Sequence, residues 1–174
     1  SAVQTLGSVT VICTDKTGTI TKGEMTVNKI WVKNKVIEVS GLGYNPVGDF
    51  TINKERLQKG ETETLEQLLE IVSLCNGAKI EPPSDRNHNW SVIGDPTDGA
   101  LMVSALKYGL NTDKLSQEKP TINILPFSFE RKRMSTIHNL KDEILIYTEG
   151  APRNILDLCT KILSDNKIEE LNQE

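Results

Sequence analysis

Apolar residues recur along the chain at two spacings, one typical of strands and one typical of helices. Short runs rich in β-branched and aromatic residues, divided by polar turns, predict strands. These runs lie at Thr26–Val32, Val36–Val39, Phe50–Ile52, Ile122–Leu125, Met134–His138 and Ile144–Thr148. Stripes at helical spacing predict three helices, which begin near Thr64, at Pro96 and at Pro152. Because strands follow one another closely, with helices between and after them, the pattern indicates an α+β domain with an antiparallel sheet flanked by helices.

The strand-like run nearest the N-terminus, Val9–Thr14, has a different character. It is almost continuously β-branched, which is typical of a strand buried on both faces of a parallel sheet. It stops at Asp15, and the carboxyl end of such a strand is where open α/β sheets carry their chemistry. Beyond this segment the pattern changes to short strands and turns. We therefore expect residues 1–26 to belong to one incomplete domain and residues 27–174 to a second domain.

The composition of the chain argues against several classes of protein. The chain is 37% hydrophobic and 25% charged, as is ordinary for a globular protein, and its net charge of −4 argues against a nucleic-acid partner. Its three cysteines are widely spaced and odd in number, which fits a reducing cytosol rather than a disulfide framework. No stretch approaches the roughly 20 apolar residues of a membrane span, and the first residues do not resemble a signal peptide. We expect a soluble piece.

The strongest chemical signal is the segment from Asp15 to Thr19. A carboxylate at a strand end can attack the γ-phosphorus of a nucleotide and form an aspartyl phosphate. Gly18 and the flanking threonines would let backbone N–H groups and hydroxyls close around a phosphoryl group. A metal ion would bridge carboxylate and phosphate oxygens, because phosphoryl transfer depends on positioning and charge neutralisation.

The run CTDKTGTIT at residues 13–21 resembles the phosphorylation signature of the P-type ATPases, and its lead-in AVQTLG at residues 2–7 does so too. The resemblance implies that Asp15 is phosphorylated, in a catalytic loop that includes Lys16 and Thr17. It also implies that Mg²⁺ is held by the Asp15 carboxylate and the main-chain oxygen of Thr17. The related phosphatases usually carry a second aspartate, a general acid and base, at the position of Thr17. A threonine there favours a longer-lived phosphoenzyme, as a pump requires, over a phosphatase.

Two further segments resemble the nucleotide-binding part of the same family: FSFERKRMS at residues 127–135 and GDPTDGAL at residues 94–101. By that resemblance, Phe127 stacks on the adenine ring and Lys132 lies along the nucleotide near its phosphates. Base–aromatic stacking is worth about 1–3 kcal/mol, and lysine is a natural point charge for phosphate. Asp98 stands where the family usually has a glutamate near the adenine amino group. The alternative for Asp98 is a purely local role at the helix N-terminus, three residues after Asp95.

The segment YTEGAP at residues 147–152 departs from the family, which normally has lysine at the position of Glu149. Two charges about 4 Å apart at an effective dielectric near 20 interact by about 4 kcal/mol, less when exposed. A carboxylate lining the pocket would therefore weaken ATP binding, unless its side chain points to solvent. Gly150 still permits close approach of a backbone to the nucleotide.

Taken over the chain, the resemblance implies a nucleotide-binding domain that is truncated at its C-terminus. Residues 1–26 would supply the first strand of a split phosphorylation domain of the phosphatase superfamily. The parent would be an integral membrane pump of the calcium-pump group, with this piece in the cytosol. Its partners would be ATP, the remaining phosphorylation, actuator and transmembrane domains, and a cation that this piece does not bind. The piece alone should bind ATP weakly without turnover; the alternatives are a phosphatase-superfamily hydrolase and a plain nucleotide-binding module.

Overall fold

The computed structural model describes residues 7–32, 34–85, 87–141, 143–164 and 167–171 of the chain. All strand pairs in this part are antiparallel. The first sheet has its strands in chain order: β1 (Lys29–Val32), β2 (Lys35–Val39), β3 (Phe50–Ile52) and β4 (Glu55–Arg56). The α+β class with antiparallel sheets, predicted from the sequence, is confirmed.

Helices and a short hairpin occupy the middle of the chain. The helices are α1 (Glu63–Leu74), α2 (Pro96–Lys107) and α3 (Thr112–Glu118), and the hairpin pairs β5 (Lys79–Glu81) with β6 (Ser91–Ile93). Helices α1 and α2 pack on each other. Close approach is possible because α2 presents a face of small residues to the interior, namely Gly99, Ala100, Ser104 and Ala105 together with Val103.

A second sheet follows, made of β7 (Thr121–Ser128), β8 (Arg133–Leu140) and β9 (Glu143–Gly150) in that order. The register of β7 against β8 shifts between Leu125 and Ser128, so the end of β7 leaves the regular ladder. The chain then forms α4 (Pro152–Leu156) and a hairpin of β10 (Lys161–Ser164) with β11 (Lys167–Glu170).

The apolar core lies between the first sheet and the helices. Alternation along β1 turns Ile30 and Val32 inward and leaves Trp31 65% exposed. These side chains join an apolar cluster from the other elements: Ile37, Val39, Phe50, Leu65, Leu69, Ala105 and Tyr108. The core thus fixes the positions of α1 and α2 relative to the sheet.

A polar cluster connects the second sheet to the helices. The Glu70 carboxylate on α1 accepts hydrogen bonds from the Tyr147 hydroxyl and the Lys119 ammonium. His138 is fully buried, with Nδ1 2.9 Å from the Lys119 carbonyl oxygen and Nε2 2.7 Å from the Thr136 hydroxyl. Because these groups satisfy one another, His138 has a structural role in this fold.

The prediction of a buried strand at Val9–Thr14 is wrong for this structure. The segment forms no strand, and Val11 and Ile12 are 73% and 83% exposed. A buried parallel strand needs neighbouring strands on its two edges, and none of the sheets in the described part pairs with it. The helix predicted to begin at Pro152 is present and short, because α4 ends at Leu156.

Among the residues that the structure describes, no helix has both the length and the apolar character needed to cross a bilayer.

Candidate functional site

A pocket of about 580 Å³ opens where α1, the N-terminus of α2 and the second sheet meet. Its apolar surface comes from α1, α2, β7, β8 and the residue before α4: Val72, Leu101, Phe127, Met134 and Ala151. Its polar surface comes from the beginning of α2 and the end of β9: Asp95, Thr97, Asp98, Glu149 and Gly150. A largely apolar cleft with a few convergent polar groups is the common form of a small-molecule site.

The N-terminus of α2 forms one edge of the pocket. Asp95 caps the helix: its Oδ1 accepts from the backbone N–H of Thr97 at 2.7 Å and from that of Asp98 at 3.4 Å. Pro96 occupies the first helical position, where no N–H is needed. The hydrogen bonds from Thr97 hold the pKa of Asp95 below its ordinary value, so this edge is negatively charged at neutral pH.

Asp98 faces both the pocket and the connection after α1. Its Oδ2 accepts from the backbone N–H of Gly77 at 3.1 Å, and its carbonyl oxygen accepts from the Asn76 side chain at 2.9 Å. Helix capping is done by Asp95, so the purely local interpretation of Asp98 misses this cross-element contact. The predicted contact of Asp98 with adenine stays a prediction, and one of its oxygens is already used.

Glu149, near the end of β9, lies in the pocket wall opposite Met134 of β8. Its Oε2 is buried and has no hydrogen-bond partner among the described residues. Burial, together with the charges of Asp98 and then Asp95, raises the pKa of Glu149 to about 7. Glu149 therefore lines the pocket with one carboxyl oxygen shielded from solvent.

Phe127 provides an accessible aromatic surface. Its side chain is 53% exposed, and its ring meets that of Phe129 edge to face, with centroids 5.6 Å apart. Phe129 is 89% exposed and does not line the pocket. The turn after Phe127 is fixed by the Arg131 guanidinium, which donates to the Pro126 carbonyl oxygen. Phe127 thus lines the pocket, and about half of its side chain is accessible.

Gly150 is required by strand packing as well as by the pocket. A Cβ at this position would lie 2.4 Å from the Lys132 carbonyl oxygen and 2.6 Å from the Arg133 Cβ. The same Lys132 oxygen accepts from the Ala151 N–H at 3.0 Å, which joins the end of β9 to the turn before β8. Lys132 itself is exposed, has a φ of +52°, and is not among the pocket-lining residues.

The predicted catalytic loop lies outside the pocket. Asp15, Lys16 and Thr17 are all exposed, and none of them lines it. The Asp15 Oδ1 accepts from the Lys16 backbone N–H at 2.7 Å, and the Thr21 N–H closes the loop by donating to the Lys16 carbonyl oxygen at 3.0 Å. Gly18 has a φ of +78°, a conformation that favours glycine, so the turn itself depends on this residue.

The donors of this loop suit Mg²⁺ in part. A carboxylate at Asp15 and a main-chain oxygen at Thr17 are hard oxygen ligands, and Mg²⁺ commonly takes one or two such ligands together with waters and substrate phosphates. Elsewhere in the described ranges, no group of three or more His, Cys, Asp or Glu residues could hold a metal ion. The loop therefore could supply some, but not all, of the ligands of a Mg²⁺ ion.

The structure brings Asp98, Phe127 and Gly150 together and leaves Lys132 and the Asp15 loop apart from them. Sequence reasoning missed the apolar surface made by Leu101 and Met134. Both lie on elements that the sequence did predict, but only the packing of α1 against both α2 and the second sheet brings them to one cavity. Their apolar character alone is equally compatible with core positions.

The chain is similar to one family model and to several curated proteins. A family model described as P-type ATPase, cytoplasmic domain N, matches residues 64–174. The cation-transporting ATPase pma1 of Synechocystis is 39% identical over 170 residues, which cover 95% of this chain and 18% of that protein. A calcium-transporting ATPase of Bacillus subtilis is 38% identical over 165 residues, covering 94% of this chain and 18% of that protein.

A similar match extends to an animal protein. The calcium-transporting ATPase type 2C member 1 of Bos taurus is 34% identical over 177 residues, covering 99% of this chain and 18% of that protein. The chain thus spans about a fifth of the length of the curated relatives it matches. Most of the chain is covered in each case, so the similarity is not confined to one motif.

Proposed function

The chain belongs to the P-type ATPase family, and from that premise we propose that it binds ATP in the pocket beside Phe127 and supplies the phosphoryl acceptor Asp15. The observation that carries the proposal is the pocket itself: a half-exposed aromatic ring stands at an apolar cleft of about 580 Å³ with few polar groups. Such a cleft suits the flat, weakly polar surface of a purine.

The adenine ring would lie on Phe127, over the apolar surface of Val72, Leu101 and Met134. The triphosphate would extend away from the acidic edge made by Asp95 and Asp98, because like charges repel. Lys132, exposed on the neighbouring turn, is a suitable partner for the phosphates once they leave the pocket. Gly150 keeps the end of β9 close to the turn that carries Lys132.

Asp15 would accept the γ-phosphoryl group in the parent protein. Its carboxylate is exposed in a closed loop with Lys16 and Thr17, and is therefore accessible to a nucleotide delivered from elsewhere. Mg²⁺, held in part by Asp15 and the Thr17 main-chain oxygen, would neutralise phosphate charge. A phosphatase is the less favoured alternative, because Thr17 cannot act as a general base at neutral pH. A plain nucleotide-binding module is also less favoured, since it has no use for Asp15.

In the parent protein, phosphorylation would drive cation transport across a membrane, with calcium as the first candidate from the names of two relatives. We place this chain on the cytosolic side, where ATP is available. Residues 1–26 would belong to a split phosphorylation domain of the phosphatase superfamily, and residues 27–174 to the nucleotide-binding domain. The other phosphorylation, actuator and transmembrane domains would then be its partners.

Titration of the chain with ATP tests the pocket. We expect a dissociation constant near millimolar, about −4 kcal/mol, seen as amide NMR shifts around Phe127. Phe127→Ala should weaken binding at least about fivefold, because stacking is worth about 1–3 kcal/mol. Phe129→Ala is the matched control, since Phe129 touches Phe127 but lies outside the pocket. Equal losses in the two variants, or shifts remote from the pocket, would refute this placement.

Phosphorylation tests Asp15 separately. The chain alone should incorporate no acid-stable label from γ-labelled ATP, because Asp15 has few of the charges that stabilise the transition state. The parent protein should incorporate label that is lost in Asp15→Asn. Hydrolysis of p-nitrophenyl phosphate by the chain would favour the phosphatase alternative instead.

A further inference from the structure

The carboxyl group of Glu149 is the one polar group of the pocket wall whose position has no structural explanation. Asp95 caps α2, and Asp98 accepts a hydrogen bond from the Gly77 N–H. Glu149 does neither: its Oε2 is buried without a hydrogen-bond partner among the described residues, beside two other carboxylates. A buried polar atom left unpaired costs free energy, so the carboxyl group is stabilised if the side chain rotates to pair with a ligand in the pocket.

The charged and titratable groups around Glu149 oppose its ionisation. From α2 it faces Asp98 and Asp95, and from the end of α1 it faces the buried Cys75 thiol. Its partner across the strands is the apolar Met134, and the basic residue next to it, Arg133, donates to the Arg131 carbonyl oxygen. With negative groups on one side and no cation of the described ranges paired to it, the carboxyl group of Glu149 is disposed to hold a proton.

A protonated carboxyl group presents one O–H donor and one C=O acceptor side by side. The Watson–Crick edge of adenine presents the complementary pair, the N1 acceptor and the N6 amino donor. An ionised carboxylate has acceptors only, so it repels N1 and instead suits guanine, whose N1 and N2 both carry hydrogens. The protonation state of one carboxyl group therefore selects between the two purines.

We propose that Glu149, in its protonated form, is a specificity-determining residue that pairs with the Watson–Crick edge of adenine in this pocket. The role rests on the proposed function, because it assumes that a purine stacks on Phe127. It replaces the simpler expectation that Glu149 only repels ATP: the carboxyl group meets the base, and the phosphates lie elsewhere. Adenine affinity then depends on pH, because only the protonated fraction is competent to bind.

Titration of the chain with adenosine and guanosine, followed by amide NMR shifts, tests this role without interference from phosphate charge. Since burial and the two aspartates raise the pKa of Glu149 to about 7, adenosine should bind about tenfold more weakly at about pH 8 than at about pH 6. Guanosine should show the opposite trend. The ratio of the two affinities is the readout, so a general loss of structure would not mimic the result.

Variants of Glu149 distinguish the effect of its proton on purine binding from the effect of its side chain. Glu149→Gln keeps a donor and an acceptor at every pH, so its adenosine affinity should be high and independent of pH across the same range. Glu149→Ala should bind both nucleosides with no purine preference. Glu143→Gln is the matched control, because Glu143 is an exposed carboxylate on the same strand and outside the pocket. It should behave like the unmodified chain.

Failure of this role and failure of the proposed function have different signatures. If adenosine affinity does not depend on pH, or if it depends on pH equally in Glu149→Gln and in the unmodified chain, the role of Glu149 is refuted. The pocket would then still be a nucleotide site. If neither ATP nor adenosine shifts the resonances around Phe127 at any pH, the nucleotide site itself is refuted.

Discussion

The Asp15 loop and the pocket beside Phe127 are built in opposite ways. The loop from Asp15 to Thr21 is closed by its own backbone and side-chain hydrogen bonds, and its residues are exposed. The pocket draws its residues from α1, α2 and all three strands of the second sheet. The loop is a local structure formed by consecutive residues, whereas the pocket exists only because distant elements pack together.

This difference decides what each region can do alone. Electrostatic stabilisation of a transferring phosphoryl group needs several charges and donors around it, and the loop has mainly its own. A binding cleft needs apolar surface excluded from water, and packing between the helices and the sheet supplies it. The pocket should therefore be functional within this chain, while the loop should need other parts of the parent protein.

Glycine substitutions give the largest expected contrast. Gly150→Ala should lower the free energy of unfolding by about 2–3 kcal/mol, because its Cβ would lie 2.4 Å from a backbone oxygen. Gly18→Ala is the matched variant in the loop, where nothing lies within 4 Å of the added Cβ. Its strain can relax locally, so denaturant unfolding should change by less than about 0.5 kcal/mol. Similar losses in the two variants would mean that the loop is coupled to the core.

Glu149→Gln should give an intermediate effect that depends on pH. The pKa of Glu149 in the folded chain, raised by burial and the two aspartates to about 7, exceeds the ordinary value of 4.5. The folded state therefore binds the proton more tightly, so stability is greatest below the ordinary pKa and is lost as pH rises through about 7. With allowance for partial exposure, Glu149→Gln should stabilise the chain by about 1–2 kcal/mol at about pH 8.

That gain should shrink as pH falls below about 7 and approach zero only below the ordinary pKa of 4.5, where Glu149 is neutral in both the folded and the unfolded state. Urea unfolding at several pH values, with Glu143→Gln as the control, measures it. A gain of the same size at every pH would show that packing, and not ionisation, sets the effect of Glu149.

Asp15→Asn should have the smallest effect. The side chain is exposed and, within the described part of the chain, accepts a hydrogen bond only from the next residue, so the free energy of unfolding should change by less than about 0.5 kcal/mol. ATP affinity of the chain should also be unchanged, because Asp15 does not line the pocket. A clear loss of affinity, measured by the same NMR titration, would place the loop against the bound nucleotide and undo the contrast between the regions.

The regular elements were largely predictable from the sequence. The strands at Phe50–Ile52 and in the second sheet follow from β-branched runs, and the stripe that contains Leu65 and Leu69 is the buried face of α1. Most of the buried face of α2 was not predicted, because it is made mainly of small residues and not of large apolar ones. The pair β5 and β6 was also missed, because three-residue strands give almost no periodic signal.

The sequence alone determined which family the chain resembles, which residues could carry phosphoryl chemistry, and the positions of most helices and strands. Each of these depends on residues that are consecutive or regularly spaced. Only the tertiary structure decided that Val9–Thr14 is exposed, that Gly150 is packed against Lys132, and that Glu149 is a partly buried acid with a raised pKa. Burial, steric contact and desolvation depend on neighbours from distant parts of the chain, and no local pattern records those neighbours.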